Sequence, residues 1–195
     1  MENNFENHIL EWKEMNMKGR FVEARQFYFE KLFPEVIDNF VDKTIWPLEK
    51  VDVLFSVLGY TPEPIILAHK ALNPRRHIIF HDKSVTHNED NVRYLPQFLD
   101  DGFLKIEFAD ETFYSIYEAL KEQMALNPGK NYTINVTGGK KSMVASAAIF
   151  GRDYSASIIY IDYDIYDPNL RRPLPGTEKM NIVYSPYLNL PELFH

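Results

Sequence analysis

Residues 51–72 read VDVLFSVLGYTPEPIILAHKAL, and the order of textures in that stretch decides the fold. Val51–Leu58 is a short, mostly apolar run, the pattern of a strand buried on both faces. Gly59-Tyr60-Thr61-Pro62-Glu63-Pro64 follows as a loop. Glycine lets the chain turn tightly, Thr61 is placed to cap the next helix, and Pro62 suits its first turn. Pro62–Leu72 then reads as a helix, stopped by Asn73-Pro74. Strand, loop and helix in that order make the repeating unit of a parallel sheet.

The pattern continues downstream. His77–Phe80 is a second strand, followed by a polar loop, His81–Asp90, and a helix to about Leu99. Phe103–Phe108 and Tyr132–Val136 are further strands, each leading to a helix (Thr112–Leu126, then SMVASAAIF). Ser157–Ile165 is a fifth strand, Asp167–Gly176 a Pro-rich loop, and Met180–Tyr184 a last strand. The expected fold is an α/β, Rossmann-like, mainly parallel sheet flanked by helices, closed by a C-terminal antiparallel hairpin. Upstream, Phe21, Ala24, Tyr28 and Leu32 share one helical face, and Pro34 opens a second helix bearing Val36, Ile37, Phe40 and Val41. The expected organisation is therefore a helical segment, residues 1–46, packed on one domain, residues 47–195.

Composition narrows the function. The 195 residues carry a net charge of −7, and the Lys and Arg are scattered, with pairs only at Arg75–Arg76, Lys140–Lys141 and Arg171–Arg172. A protein that coats long nucleic acid shows a basic stripe, so a polyanionic partner here is small and held locally. There is no cysteine, which excludes disulfides, thiolate metal sites and a cysteine nucleophile. No run reaches the roughly 18 apolar residues of a membrane span, and the acidic N-terminus lacks a signal sequence. The expectation is a cytoplasmic protein with no membrane partner.

Ligands of such sheets gather at the carboxyl ends of strands. Besides the Gly59 loop, one other loop there is unusual: Asn135-Val136-Thr137-Gly138-Gly139-Lys140-Lys141-Ser142-Met143. Two glycines expose backbone N–H groups at a helix start, with lysines and hydroxyls beside them, which reads as phosphate binding. It is not a Walker A loop, because Ile134 stands where the first glycine belongs and Lys141 where the hydroxyl belongs. Gly-x-Gly-x-x-Gly occurs nowhere. Arg76–His81 fits a loose Arg-x4-His ribonuclease pattern but lies on a strand. Asp162, Asp164 and Asp167 fit alternation into a turn better than a metal site, and no metal or cofactor is expected.

Taken together, VLFSVLGYTPEPI, RHIIFHDKS and INVTGGKKSMVASAA resemble CARF domains, the CRISPR-associated Rossmann folds, over roughly residues 50–185. The resemblance implies a homodimer whose two-fold axis crosses the site. It also implies a cyclic oligoadenylate ligand, most often the tetra-adenylate of type III CRISPR signalling. Gly59, Tyr60, Thr61, Pro62 and Glu63 then line the cleft from the first loop, and His81, Asp82, Lys83 and Ser84 from the second. Asn135, Thr137, Gly138, Gly139, Lys140, Lys141 and Met143 hold ribose and phosphate. The motif aligns Lys141 with the family's lysine, while Lys140 replaces the hydroxyl residue often found before it.

Two functions fit that resemblance. One is a metal-independent ring nuclease, in which a ribose 2′-hydroxyl attacks the adjacent phosphorus to give a 2′,3′-cyclic phosphate. Lys141 or Lys140 then stabilises the developing charge, and Ser84 or Thr61 orients the hydroxyl. The other is a pure binding module, stand-alone or part of a longer effector, since nothing after residue 185 has room for a second domain. A third class is a Rossmann-like protein for another small phosphate-containing ligand.

Overall fold

The computed structural model describes residues 4–99 and 102–188. The chain divides into two compact units, Trp46–Ile161 with Met180–His195, and Met1–Ile45 with Asp162–Lys179.

The larger unit is built on a six-stranded sheet: β1 (Val53–Val57), β2 (Arg76–His81), β3 (Phe103–Glu107), β4 (Tyr132–Asn135), β5 (Ser157–Tyr163) and, last in the chain, β8 (Glu178–Tyr184). The order is β3-β2-β1-β4-β5-β8, and the β3–β2, β2–β1, β1–β4 and β4–β5 pairings are all parallel. All five β1 residues are buried, as the near-continuous apolar run demands. Between these strands run α4 (Glu63–Leu72), α5 (Glu89–Leu99), α6 (Phe113–Leu126) and α7 (Lys141–Asp153). Phe55 and Phe80 meet edge to face at 5.2 Å, and Phe80 stacks on Phe108 at 5.5 Å. Around them Ile134, Met143, Ala147 and Phe150 complete a close-packed core. The chain leaves the β3 edge and returns on the far side of β1, so the switch in strand order lies between β1 and β4, where such sheets take ligands.

The smaller unit holds α1 (Asn4–Met17), α2 (Phe21–Phe27) and α3 (Phe33–Lys43). A π turn over Tyr28–Leu32 joins the last two without a break. Pro34 falls in the first turn of α3 as expected. Tyr28, Phe29 and Phe33 cluster at 5.2–5.4 Å between ring centres. Ala24, Leu32, Val36, Ile37 and Phe40 are buried with them, whereas Phe21 is 64% exposed. The segment read as a loop contains a short antiparallel pair, β6 (Tyr166–Asp167) with β7 (Arg172–Pro173). Its turn places Arg171 at φ +53°. Asp164 pairs with Lys179, and Asp167 accepts from the N–H groups of Asn169 and Leu170.

Candidate functional site

Three glycines decide how the loops after β1 and β4 meet. A Cβ at Gly59 would stand 2.8 Å from the Gly139 nitrogen. One at Gly138 would stand 2.5 Å from the Val57 carbonyl oxygen and 2.9 Å from the Gly59 nitrogen. No side chain fits at those distances, so backbone meets backbone. Gly139 also has φ +89°, where L side chains are strained. The two loops singled out in the sequence are thus one junction at the carboxyl ends of adjacent strands.

Asn135 holds that junction from below. It is fully buried. Its Oδ1 accepts from the Thr137 N–H (3.1 Å) and hydroxyl (2.6 Å), and its Nδ2 donates to the Pro64 carbonyl (3.1 Å). The Thr137 hydroxyl in turn accepts from the Ile161 N–H at 2.7 Å. These side chains tie the β4 loop to the start of α4 and to β5. Met143 is also fully buried, with Sδ 3.4 Å from the Lys140 nitrogen.

Thr61 does not cap α4. Pro62 takes the cap position, and its carbonyl accepts from Ile65 and Ile66 at 3.0 and 3.1 Å. Pro62 itself has helical backbone, φ −78° and ψ −18°, so the helix start passes to it and Thr61 is left exposed. Tyr60 is exposed beside it, while Pro62 is buried and Glu63 half-buried.

A charge cluster stands on the loop after β2. The buried Asp82 accepts from the Ser84 N–H (2.6 Å) and the Ser84 hydroxyl, and its other oxygen lies 3.2 Å from Lys140 Nζ. Burial alone raises its pKa, but the Ser84 bonds and Lys140 outweigh burial and hold the carboxyl below the ordinary value. Lys140 also pairs with Glu111, and the two carboxylates, Glu111 foremost, raise its pKa. Lys141 is exposed and has no ion-pair partner among the described residues. Lys83 is exposed, and the buried His81 donates from Nδ1 to the Asp82 carbonyl at 3.1 Å.

The start of α7 has no acidic residue in its first turn and no side-chain cap. The other sheet helices differ: α4 begins with Glu63, α5 with Glu89 and Asp90, and α6 is capped by Thr112. The positive end of the α7 dipole therefore meets lysines, an arrangement that favours a bound anion. Among the described residues, no group of three or more His, Asp or Glu is placed to hold a metal, and no helix is long and apolar enough to cross a membrane.

Sequence reasoning passed over two contributors. Asn91, buried in α5, donates from Nδ2 to the Gly59 carbonyl at 3.0 Å, and Glu111 pairs with Lys140. A polar residue in an amphipathic helix and an acid in a loop both read as solvated surface. A cavity of about 330 Å³ lies at the opposite, amino ends of the strands, between Trp46, Asn131, Tyr132, Thr133, Ser157 and Tyr187.

No family model matches the chain. It is 28% identical over 176 residues to the CRISPR system endoribonuclease Csm6 of Thermus thermophilus, covering 85% of this chain. The chain is a relative of Csm6. It spans 37% of that protein's length, and the CARF resemblance read from the three motifs agrees with this relationship. Among solved structures, Can2 from Sulfobacillus thermosulfidooxidans in complex with cyclic tetra-adenylate is 22% identical, with TM-score 0.48 over 57% of this chain and 32% of its own. Csm6 from Enterococcus italicus, bound to a cyclic hexa-adenylate analogue, is 15% identical, with TM-score 0.47 over 60% and 35%.

Proposed function

We propose that this chain is a cyclic oligoadenylate sensor of type III CRISPR defence, working as a homodimer and taking the tetra-adenylate ring at the loops after β1, β2 and β4. The observation that carries the reading is the backbone junction of Gly59 with Gly138 and Gly139 at the foot of α7, a helix whose first turn has no acidic residue and begins at two lysines. Such a junction offers N–H donors and positive potential to phosphates without side chains in the way. With a net charge of −7, the protein attracts a polyanion only through local donors of this kind. The CRISPR setting comes from the Csm6 relative, whose endoribonuclease activity belongs to that longer protein.

Lys141 is the cation this reading gives to the ligand, because Lys140 is already engaged by Asp82 and Glu111. Asn135 and Thr137 shape the loop, and Ser84 with Lys140 organises the Asp82 corner. Two protomers present two such junctions, which matches a two-fold symmetric ring.

Calorimetry with cyclic tetra-adenylate at fixed salt tests binding, and light scattering tests the dimer. The expected result is tight binding by a species of twice the mass of one chain. Absence of binding, with uptake of another phosphate-bearing small molecule, overturns the assignment. Product analysis with and without EDTA separates the two functions: intact ring identifies a binding module, and a 2′,3′-cyclic phosphate formed in EDTA identifies a ring nuclease.

A further inference from the structure

Beneath the first loop lies a small cavity of about 20 Å³, in whose largely apolar wall of Leu58, Val85, Val92 and Leu95 stand Thr86 and Asn91. Asn91 is 4% exposed. Its amide has one possible orientation, because a carbonyl only accepts and Nδ2 must therefore be the atom that donates to Gly59. That leaves Asn91 Oδ1 buried with no donor among the described residues, and the Thr86 hydroxyl oxygen is buried without a partner in the same way. His81 also lines the cavity, with its Nδ1 donating to the Asp82 carbonyl at 3.1 Å. Buried polar atoms in native proteins are almost always paired, with protein or with ordered water. A cavity of this size holds one water when two to four polar groups face it.

We infer that one structural water is bound here, donating to Asn91 Oδ1 and accepting from the Thr86 hydroxyl. The water locks the Asn91 amide, and the amide locks the Gly59 carbonyl. Asn91 is thereby a positioning residue for the glycine junction, and Thr86, in the loop after β2, is linked to the loop after β1. The consequence for ligand affinity rests on the function proposed above; the water itself does not.

High-resolution crystallography of the wild type tests the site directly, with one density peak expected at hydrogen-bond distance from Asn91 Oδ1 and Thr86 Oγ1. Thr86→Val keeps the shape and removes the hydroxyl, while Thr86→Ser keeps the hydroxyl. Thr86→Val is expected to speed amide exchange at residues 59–61 and to weaken cyclic tetra-adenylate binding, each by roughly two- to tenfold, with Thr86→Ser near wild type. No peak, with Asn91 Oδ1 meeting a protein donor instead, overturns the water. Unchanged exchange at residues 59–61 in both Thr86→Val and Asn91→Leu overturns the positioning role. A wild type that ignores cyclic tetra-adenylate sinks the proposed function alone, because density and exchange still judge the water.

Discussion

The strands β1 and β4 come together at both ends, and the two junctions are built differently. At the amino ends, Gly129 packs so close to Asp52 that a Cβ there would lie 2.9 Å from the Asp52 Cβ. The Asp52 carboxylate fills the turn, accepting from the N–H groups of Lys130 (2.8 Å) and Asn131 (3.1 Å). At the carboxyl ends glycine meets backbone instead, and the first turn of α7 carries no acidic residue. At the amino ends a carboxylate engages the N–H groups of the turn; at the carboxyl ends Asp82 and Glu111 engage Lys140 and leave Lys141 without an ion-pair partner among the described residues.

The sharpest way to break this comparison is Gly138→Ala. Its Cβ would press on the Val57 carbonyl and the Gly59 nitrogen, forcing the loops apart. The expected outcome is loss of detectable cyclic tetra-adenylate binding together with destabilisation of about 1–3 kcal/mol, read by calorimetry and urea unfolding. Lys141→Ala is next. Losing a charge-assisted hydrogen bond in each of two protomers should weaken binding by roughly two decades. Arg171→Ala, at an exposed turn in the smaller unit, should bind like wild type, and equal losses in the two variants would undo the local-donor argument.

Gly129→Ala sharpens the contrast from the other side. It should destabilise by a similar 1–3 kcal/mol, since its Cβ also meets a fixed neighbour, yet leave ligand affinity unchanged. The smallest effect expected is that of Asp52→Asn. The Lys130 N–H, and then the Asn131 N–H, hold the Asp52 carboxyl below its ordinary value. A carboxyl whose folded pKa is depressed adds stability above the unfolded value of about 3.9 and loses it as pH falls through the folded pKa. Urea midpoints of Asp52→Asn should therefore lie below wild type at pH 7 and converge with it as pH falls through the depressed folded value.

Much of this molecule was legible in the chain because its signals are local. An apolar run ending in glycine and proline is a buried strand entering a turn, and every strand and helix read in the larger unit is present within a few residues. The close approach of backbone at the loop after β4 was legible in its two glycines for the same reason. Thr61 as a helix cap was misplaced by one residue, because the Pro62 carbonyl takes the first bonds of α4 and Pro62 is itself the cap. The β6–β7 pair escaped notice because two residues per strand leave no periodicity.

The sequence by itself determined the order of strands and helices, the absence of cysteine chemistry, and which loops carry glycines and lysines, since each follows from neighbours along the chain. Which of those groups are already engaged was decided only by tertiary structure. Lys140 and Lys141 are adjacent and chemically identical, yet one lies against Asp82 and Glu111 and the other meets no carboxylate among the described residues. Asn135, Thr137 and Asn91 read as polar residues available to a ligand or to solvent, and the fold turns them inward onto backbone groups of other elements. Hydrogen bonds and ion pairs between residues 20 to 70 positions apart form only when the sheet brings strand ends together, and no local pattern encodes that meeting.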